Sequence, residues 1–220
     1  MIQPVIAIHG GAGAMSRAAM SPEKEQEYLS ALESILAAGQ AVLARGGSAL
    51  DAVTEAVRLL EDCPLFNAGH GAVFTSAGTH ELDAAIMDGA TLRSGAIANV
   101  NCVRNPVFAA RAVMETSKHV FFVGEGAEAF AKDAGLELVD PSYFSTEARR
   151  EQLLRVQRET PEAAVLDHDG QAMVARGQPA PADPLDSDKK FGTVGAVALD
   201  AQGNLAVSYT HLTLPTILLV

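Results

Sequence analysis

The stretch Lys189-Lys190-Phe191-Gly192-Thr193-Val194-Gly195-Ala196-Val197-Ala198-Leu199-Asp200 decides how this chain is interpreted. The apolar run after Gly192 predicts a buried strand from Thr193 to Leu199, whereas the residues before Gly192 are polar and rich in proline. The hydroxyl of Thr193 therefore lies where a loose segment enters a strand. Gly192 has no Cβ, so its carbonyl can be approached closely and its backbone can hold strained angles.

The dipeptide Gly192-Thr193 has the chemistry of a self-cleavage site. Attack of the Thr193 hydroxyl on the Gly192 carbonyl would break the chain and leave Thr193 with a free α-amine. Such an amine has a pKa of about 7.7–8.0, so it can act as the base for the hydroxyl of the same residue. On spacing alone, a Gly-Thr pair before an apolar run is more often a loop entering a strand, so the interpretation depends on the rest of the chain.

Composition limits the class of protein. The 220 residues, 48% of them hydrophobic, fit one domain with a substantial core. A net charge of −11 argues against nucleic acid and anionic membrane as partners, because both require a basic surface. No charged-then-apolar leader segment is found at the start, and Cys63 and Cys102 lack CxxC spacing. We therefore expect a cytoplasmic protein with reduced thiols.

Helix and strand signals follow one another along the first 135 residues. Ser21-Pro22 predicts the start of a helix that Gly46-Gly47 end, and Ser48 with Asp51 predicts a second, capped helix. Shorter predicted segments are a strand at 5–8, hairpin strands near 81–87 and 92–100, a helix at 105–115, a strand at 119–123 and a helix at 124–134. This order is typical of a layered sheet-and-helix sandwich.

Two ligand motifs in the sequence are incomplete. The loop from His9 to Ala14 lacks the last glycine of GxGxxG, so a nucleotide-binding protein is a distant alternative. Residues 80–84 begin like the zinc motif HExxH, but position 84 is alanine and the second ligand is missing. Glu81, Asp83 and Asp88 could form an acidic pair, although solvated turn carboxylates are the commoner case.

Four motifs occur in a fixed order along the chain. They are His9-Gly10-Gly11-Ala12-Gly13, Cys63-Pro64-Leu65-Phe66-Asn67-Ala68-Gly69-His70-Gly71, Glu81-Leu82-Asp83-Ala84 with Met87-Asp88-Gly89, and Phe191-Gly192-Thr193-Val194-Gly195. Over about residues 3–206 the chain resembles the plant-type asparaginases, also called isoaspartyl peptidases. The resemblance implies an α/β (α+β) fold, the four-layer αββα sandwich of the N-terminal-nucleophile hydrolases, incomplete in this chain.

The resemblance also implies an activity and its residues. The enzyme would cleave itself at Gly192-Thr193 and use Thr193 to hydrolyse β-aspartyl dipeptides and L-asparagine, with no organic cofactor. His9, Gly10 and Gly11 would position the scissile bond, and Asn67 matches a substrate-binding position. A structural sodium ion would bind main-chain carbonyls at Leu60, Glu61, Cys63, Phe66, Ala68 and His70. His70 departs from the aliphatic or basic residue expected there, but only its carbonyl would be used. Two precursors would associate to give an (αβ)2 assembly.

The end of the chain departs from the resembled family. Residues 1–192 would be the α subunit, with 158–192 as a flexible linker, and residues 193–206 would begin the β subunit. Residues 207–220 look like a non-family tail. Its first part, residues 207–212, resembles a translated sequencing adaptor, so we interpret the tail as an assembly artefact. We then expect the half-sheet that starts at Thr193 to lack partners, and the oxyanion donors to be missing. The main alternative is therefore a truncated, inactive fragment. The related glycosylasparaginases, usually secreted or lysosomal, are a further alternative.

Overall fold

A computed structural model describes residues 2–11, 21–159 and 193–210. Gly192, the loop residues 12–14, most of the predicted linker and the end of the predicted tail lie outside these ranges. The described strands and helices are β1 Val5–His9, α1 Pro22–Ala44, α2 Ala49–Asp62, β2 Leu82–Asp88, β3 Arg93–Val100, α3 Pro106–Thr116, β4 Phe121–Val123, α4 Gly124–Asp133, a 3-10 turn Pro141–Phe144, α5 Glu147–Glu159, β5 Val194–Leu199 and β6 Leu205–Thr210.

The six strands form one sheet in the order β1-β5-β6-β2-β3-β4. All neighbouring strands are antiparallel except β3 and β4, which are parallel. The expectation that the half-sheet beginning at Thr193 lacks partners is wrong. Strand β5 lies between β1 and β6, and β6 pairs on its other side with β2. Strand β6 also runs without interruption past residue 206, where the sequence analysis placed the boundary between the β subunit and the non-family tail.

The predicted helix caps are confirmed. The Ser21 hydroxyl accepts a hydrogen bond from the Lys24 backbone N–H at 3.2 Å and starts α1. The Ser48 hydroxyl accepts from the Asp51 N–H at 3.1 Å and donates to the Asp51 carboxylate at 2.7 Å. The bonds from the Lys24 and Asp51 N–H groups satisfy donors that the first turn of a helix otherwise leaves unpaired. This is why these short motifs are reliable signals of a helix start.

The two faces of the sheet have different environments. Helices α1 to α4 pack on one face, whose side chains are buried and small or aliphatic: Ile6, Ala84, Ile86, Ile97, Ala196, Ala198 and Ala206. The opposite face is also apolar but exposed, with Val5, Met87, Val197, Leu205 and Val207 each more than a third accessible. The described residues therefore form one helical layer on one sheet, which agrees with the mixed α/β class expected from the sequence.

Asp200 joins the β5–β6 turn to the start of α2. Its carboxylate accepts hydrogen bonds from the backbone N–H groups of Ala49 at 3.1 Å, Gln202 at 3.0 Å and Asn204 at 2.9 Å. Burial alone would raise the pKa of Asp200, but these backbone donors hold it below its usual value. The carboxylate thus fixes the position of β5 relative to the helical layer.

Three elements differ from the sequence-based expectation. The 3-10 turn at Pro141–Phe144 and helix α5 were not predicted, and α5 extends to Glu159, two residues into the range expected to be a linker. The short strand expected at 119–123 begins only at Phe121. No helix in the described part of the chain is long and apolar enough to cross a membrane.

Candidate active site

The pairing of β1 with β5 places the predicted cleavage-positioning loop beside the predicted nucleophile, Thr193. His9 lies opposite Gly195 in the register, so the loop of Gly10 and Gly11 follows β1 where Thr193 enters β5. The approach is close: a Cβ at Gly195 would lie 2.8 Å from the His9 Nε2 atom. Partial burial lowers the pKa of His9. The structure therefore brings together His9, Gly10, Gly11 and the half-buried Thr193.

Phe66 connects this loop to the segment between α2 and β2. A Cβ at Gly10 would lie only 2.5 Å from the Phe66 Cε1 atom, so the Phe66 ring packs directly on the Gly10 backbone. The Phe66 ring also makes an edge-on contact with Tyr28, with 5.9 Å between the ring centroids. The Tyr28 hydroxyl donates to the Leu65 carbonyl at 3.2 Å. The residue before the predicted substrate-binding Asn67 is therefore held against the cleavage loop.

Asn67 keeps an amide donor available beside this contact. The side chain is 95% buried, since only 5% of its surface is accessible. Its Oδ1 atom accepts a hydrogen bond from the Val73 N–H at 2.9 Å, which fixes its orientation. Its Nδ2 atom has no hydrogen-bond partner among the described residues. A buried amide donor without a partner is unfavourable in a folded protein, and this one can donate to an added acceptor such as a carbonyl or carboxylate oxygen.

The loop that contains the predicted carbonyl donors folds back on itself. The Glu61 carbonyl accepts from the His70 N–H at 2.7 Å, and the carbonyls of Leu60 and Cys63 accept from Cys63 and Phe66, both at 3.4 Å. Gly69 and Gly71 have φ values of +47° and +116°, which glycine adopts readily. A Cβ at Gly71 would lie 2.6 Å from the Pro64 carbonyl oxygen, so this tight arrangement requires glycine there.

The Glu61 side chain is a buried group that the sequence analysis did not single out. Its Oε1 atom accepts from the Thr210 hydroxyl at 2.6 Å and from the Val107 N–H at 2.9 Å, linking α2 to β6 and to the start of α3. Burial raises the pKa of Glu61 to about 8, against the opposing effect of these two hydrogen bonds. The sequence indicated a role only for the Glu61 main-chain carbonyl. The burial of its side chain depends on the fold, which brings Val107 and Thr210 to it.

The remaining candidate motifs have structural partners. The His80 ring is buried and hydrogen-bonds the Val73 carbonyl at 3.1 Å and the Ser145 hydroxyl at 3.0 Å. Asp83 accepts from the Asn99 N–H, and Asp88 accepts from two groups of its own turn. Across the described ranges, no group of three His, Cys, Asp or Glu side chains is placed to hold a metal ion. The Asp83 carboxylate therefore stabilises the β-bulge between Leu82 and Ala84 in the β2–β3 pair, and the Asp88 carboxylate stabilises the turn that follows β2.

Comparison with known proteins identifies the family to which the chain belongs. The family model described as "Asparaginase" matches residues 2–210. The isoaspartyl peptidase of Escherichia coli is 58% identical over 208 residues, covering 94% of this chain and 60% of the relative. The isoaspartyl peptidase of Salmonella typhimurium is 59% identical over 208 residues, covering 94% of this chain and 62% of the relative.

A more distant relative has a similar name and covers a similar share of this chain. The isoaspartyl peptidase/L-asparaginase of Rattus norvegicus is 40% identical over 202 residues, covering 92% of this chain and 54% of the relative. The chain thus spans little more than half to about three fifths of the length of these relatives. Because the family match covers nearly the whole sequence and ends where β6 ends, this chain belongs to the asparaginase family that includes the isoaspartyl peptidases.

Proposed function

We propose that the full-length protein hydrolyses β-aspartyl (isoaspartyl) dipeptides and L-asparagine, with Thr193 as nucleophile after self-cleavage at Gly192-Thr193. The observation that supports this most directly is the β1–β5 register, which sets the loop after His9 beside Thr193 in a chain of this family. Thr193 is only half buried, so a small substrate can reach it. The Asn67 Nδ2 atom, which has no hydrogen-bond partner in the described part of the chain, lies on the adjoining loop and can bind the substrate.

The proposed reaction uses one residue as both nucleophile and base. The Thr193 hydroxyl oxygen attacks the side-chain amide or isopeptide carbonyl while its own α-amine takes the hydroxyl proton. The amine then returns this proton to the departing nitrogen, which leaves as ammonia or as an amino acid. Water, deprotonated by the same amine, attacks the resulting ester and releases aspartate, which regenerates the Thr193 hydroxyl.

We also propose that the loop of residues 60–71 holds a structural sodium ion. Main-chain carbonyl oxygens suit a hard cation, and the donors would be those of Leu60, Glu61, Cys63, Phe66, Ala68 and His70. The hydrogen bonds to Leu60, Glu61 and Cys63 use one lone pair of each carbonyl oxygen, and a second remains. The ion would keep the Phe66 and Asn67 segment in place; it takes no part in the reaction.

Mass spectrometry of the full-length gene product tests the proposed nucleophile. We expect two fragments, the second beginning at Thr193, together with release of ammonia from L-asparagine and cleavage of β-aspartyl dipeptides. The Thr193→Ala variant should remain uncut and inactive. Thr116→Ala is a matched control, because this exposed hydroxyl bonds only within α3 in the described structure, and it should behave like the wild type. An uncut wild-type protein that still turns over substrate would refute the proposal.

The same preparations test the proposed assembly. Family membership supports two cleaved precursors associating as (αβ)2, and light scattering should then give a mass of two full-length chains. A mass of one chain for the active protein would contradict this assembly without affecting the assignment of Thr193.

A further inference from the structure

Helix α5 and the 3-10 turn before it form a brace behind the loop of residues 60–75. The brace is defined here as residues 141–152, a segment without any recognised motif. Phe144, fully buried, and Arg149, 8% accessible, anchor it in the protein interior. Arginine is rarely so buried unless its guanidinium has defined partners.

The backbone N–H and the backbone carbonyl of Gly71, in the loop, both form hydrogen bonds with this brace. The Gly71 N–H donates to the Phe144 carbonyl at 3.1 Å, and the Gly71 carbonyl accepts from the Arg149 Nε atom at 2.8 Å. The Arg149 Nη1 atom donates to the Gln152 Oε1 atom at 3.1 Å, and Gln152 is also buried. The guanidinium thus has a fixed orientation, and its bond to Gly71 is charge-assisted.

Neighbouring contacts hold the brace and the loop in one relative position. The His70 Nδ1–H donates to the Tyr143 carbonyl at 2.6 Å, and the His80 Nε2 atom accepts from the Ser145 hydroxyl at 3.0 Å. The Tyr143 hydroxyl donates to Asp62 at 3.4 Å. The brace therefore contacts the loop directly at Asp62 and at residues 70–71, and indirectly through His80, whose Nδ1–H donates to the Val73 carbonyl.

The Gly71 backbone transmits this position to the cleavage loop by direct packing. A Cβ at Gly71 would lie 2.9 Å from the Phe66 carbonyl oxygen, so the Gly71 and Phe66 main chains are in contact. The Phe66 ring in turn packs on Gly10, and β1 carries Gly10 to the Thr193 end of β5. A continuous series of packed groups therefore connects Arg149 to the residue proposed as nucleophile.

We propose that Arg149 is a positioning residue for the reaction at Thr193, acting through the Gly71 carbonyl on Phe66 and the Gly10 backbone. This inference rests on the proposed function. Arg149 does not touch the reacting atoms; it sets where the Phe66 and Asn67 segment lies against the cleavage loop. Because a shift of about 1 Å in such an arrangement can cost up to a hundredfold in rate, losing this bond should slow self-cleavage markedly.

The test compares self-cleavage rates of full-length variants by mass spectrometry. Arg149→Ala should cleave at least about tenfold more slowly than wild type. Added guanidinium, which can occupy the vacated space and donate to the Gly71 carbonyl, should restore most of the rate, whereas tetramethylammonium at the same concentration should not. Arg149→Lys should be intermediate, because an ammonium cannot reproduce the planar fork. Arg150→Ala, an exposed neighbour on α5, is the matched control and should cleave at the wild-type rate.

Each outcome decides the proposal. A folded Arg149→Ala protein that cleaves at the wild-type rate overturns it, and slow cleavage without guanidinium rescue does so too, because that result indicates a general loss of stability. If Arg149→Ala does not fold, Arg149→Lys decides: slowed cleavage supports positioning and a wild-type rate overturns it. Failure of the wild-type protein to cleave would instead refute the proposed function, so the two failures are distinguishable.

Discussion

Replacing Gly10 with alanine tests the contact between the cleavage loop and Phe66. The new Cβ would lie 2.5 Å from Phe66 Cε1 and 2.8 Å from Cδ1, whereas ordinary contacts begin at 3.4 Å. The ring must therefore retreat by roughly 1 Å, although it is 98% buried and packs edge-on against Tyr28. Overpacking of this kind costs about 1–3 kcal/mol, which corresponds to about 2–4 °C in Tm for each kcal/mol.

The assay is urea unfolding in a Thr193→Ala background, so that a single uncut chain is compared throughout. Phe66→Leu removes the clashing ring atoms, and the double variant should be more stable than the two single changes predict, with a coupling of at least about 0.5 kcal/mol. Gly126→Ala is the control, because a Cβ there meets nothing within 4 Å; helix propensity predicts a gain of up to about 1 kcal/mol. Additive effects of Gly10→Ala and Phe66→Leu would refute the proposed contact.

Three further predictions concern the packing, the pH dependence and the cation. Gly95→Ala should lower the free energy of unfolding by about 2 kcal/mol or more, measured by urea unfolding, because a Cβ at Gly95 would lie 2.5 Å from the Met114 backbone nitrogen. Asp200 contributes stability above its unfolded pKa of about 4, and this stability is lost as the pH falls through its lower folded pKa. Asp200→Asn should therefore be less stable at pH 7 and show a shallower decline below about pH 4 in pH-dependent unfolding. Sodium chloride should raise the melting temperature more than choline chloride at equal ionic strength, and equal effects would argue against the sodium site.

Much of the local structure could be predicted because its causes are close in sequence. Ser21-Pro22 and Ser48 with Asp51 identified two helix starts, since a cap bonds within three residues. The hairpin of residues 81–87 and 92–100 was predicted for the same reason, since the Asp88 carboxylate in its turn bonds groups two and three residues away. The position of Thr193 before a strand followed from the apolar run alone.

The features that were missed depend on contacts between distant residues. The pairing of β1 with β5 joins residues about 190 positions apart. No local pattern indicates that β5 would pair with a strand along each of its two edges. Helix α5 is rich in charged residues, so its sequence has no apolar stripe, and its buried face includes Arg149 and Gln152. The buried Glu61 carboxyl group likewise accepts a hydrogen bond from Thr210, which is 149 residues away.

The interleaved strand order affects how the protein would refold once the chain has been cut before Thr193. Strands β5 and β6 come from one side of the proposed cut, yet β1 and β2 from the other side flank them. Breaking the bond before Thr193 would thus leave two polypeptides joined by backbone hydrogen bonds and by the Asp200 carboxylate. Folding would be a one-chain event before the cut and a two-chain encounter after it. Dilute cut protein that unfolds should consequently regain its structure far more slowly than the uncut precursor does.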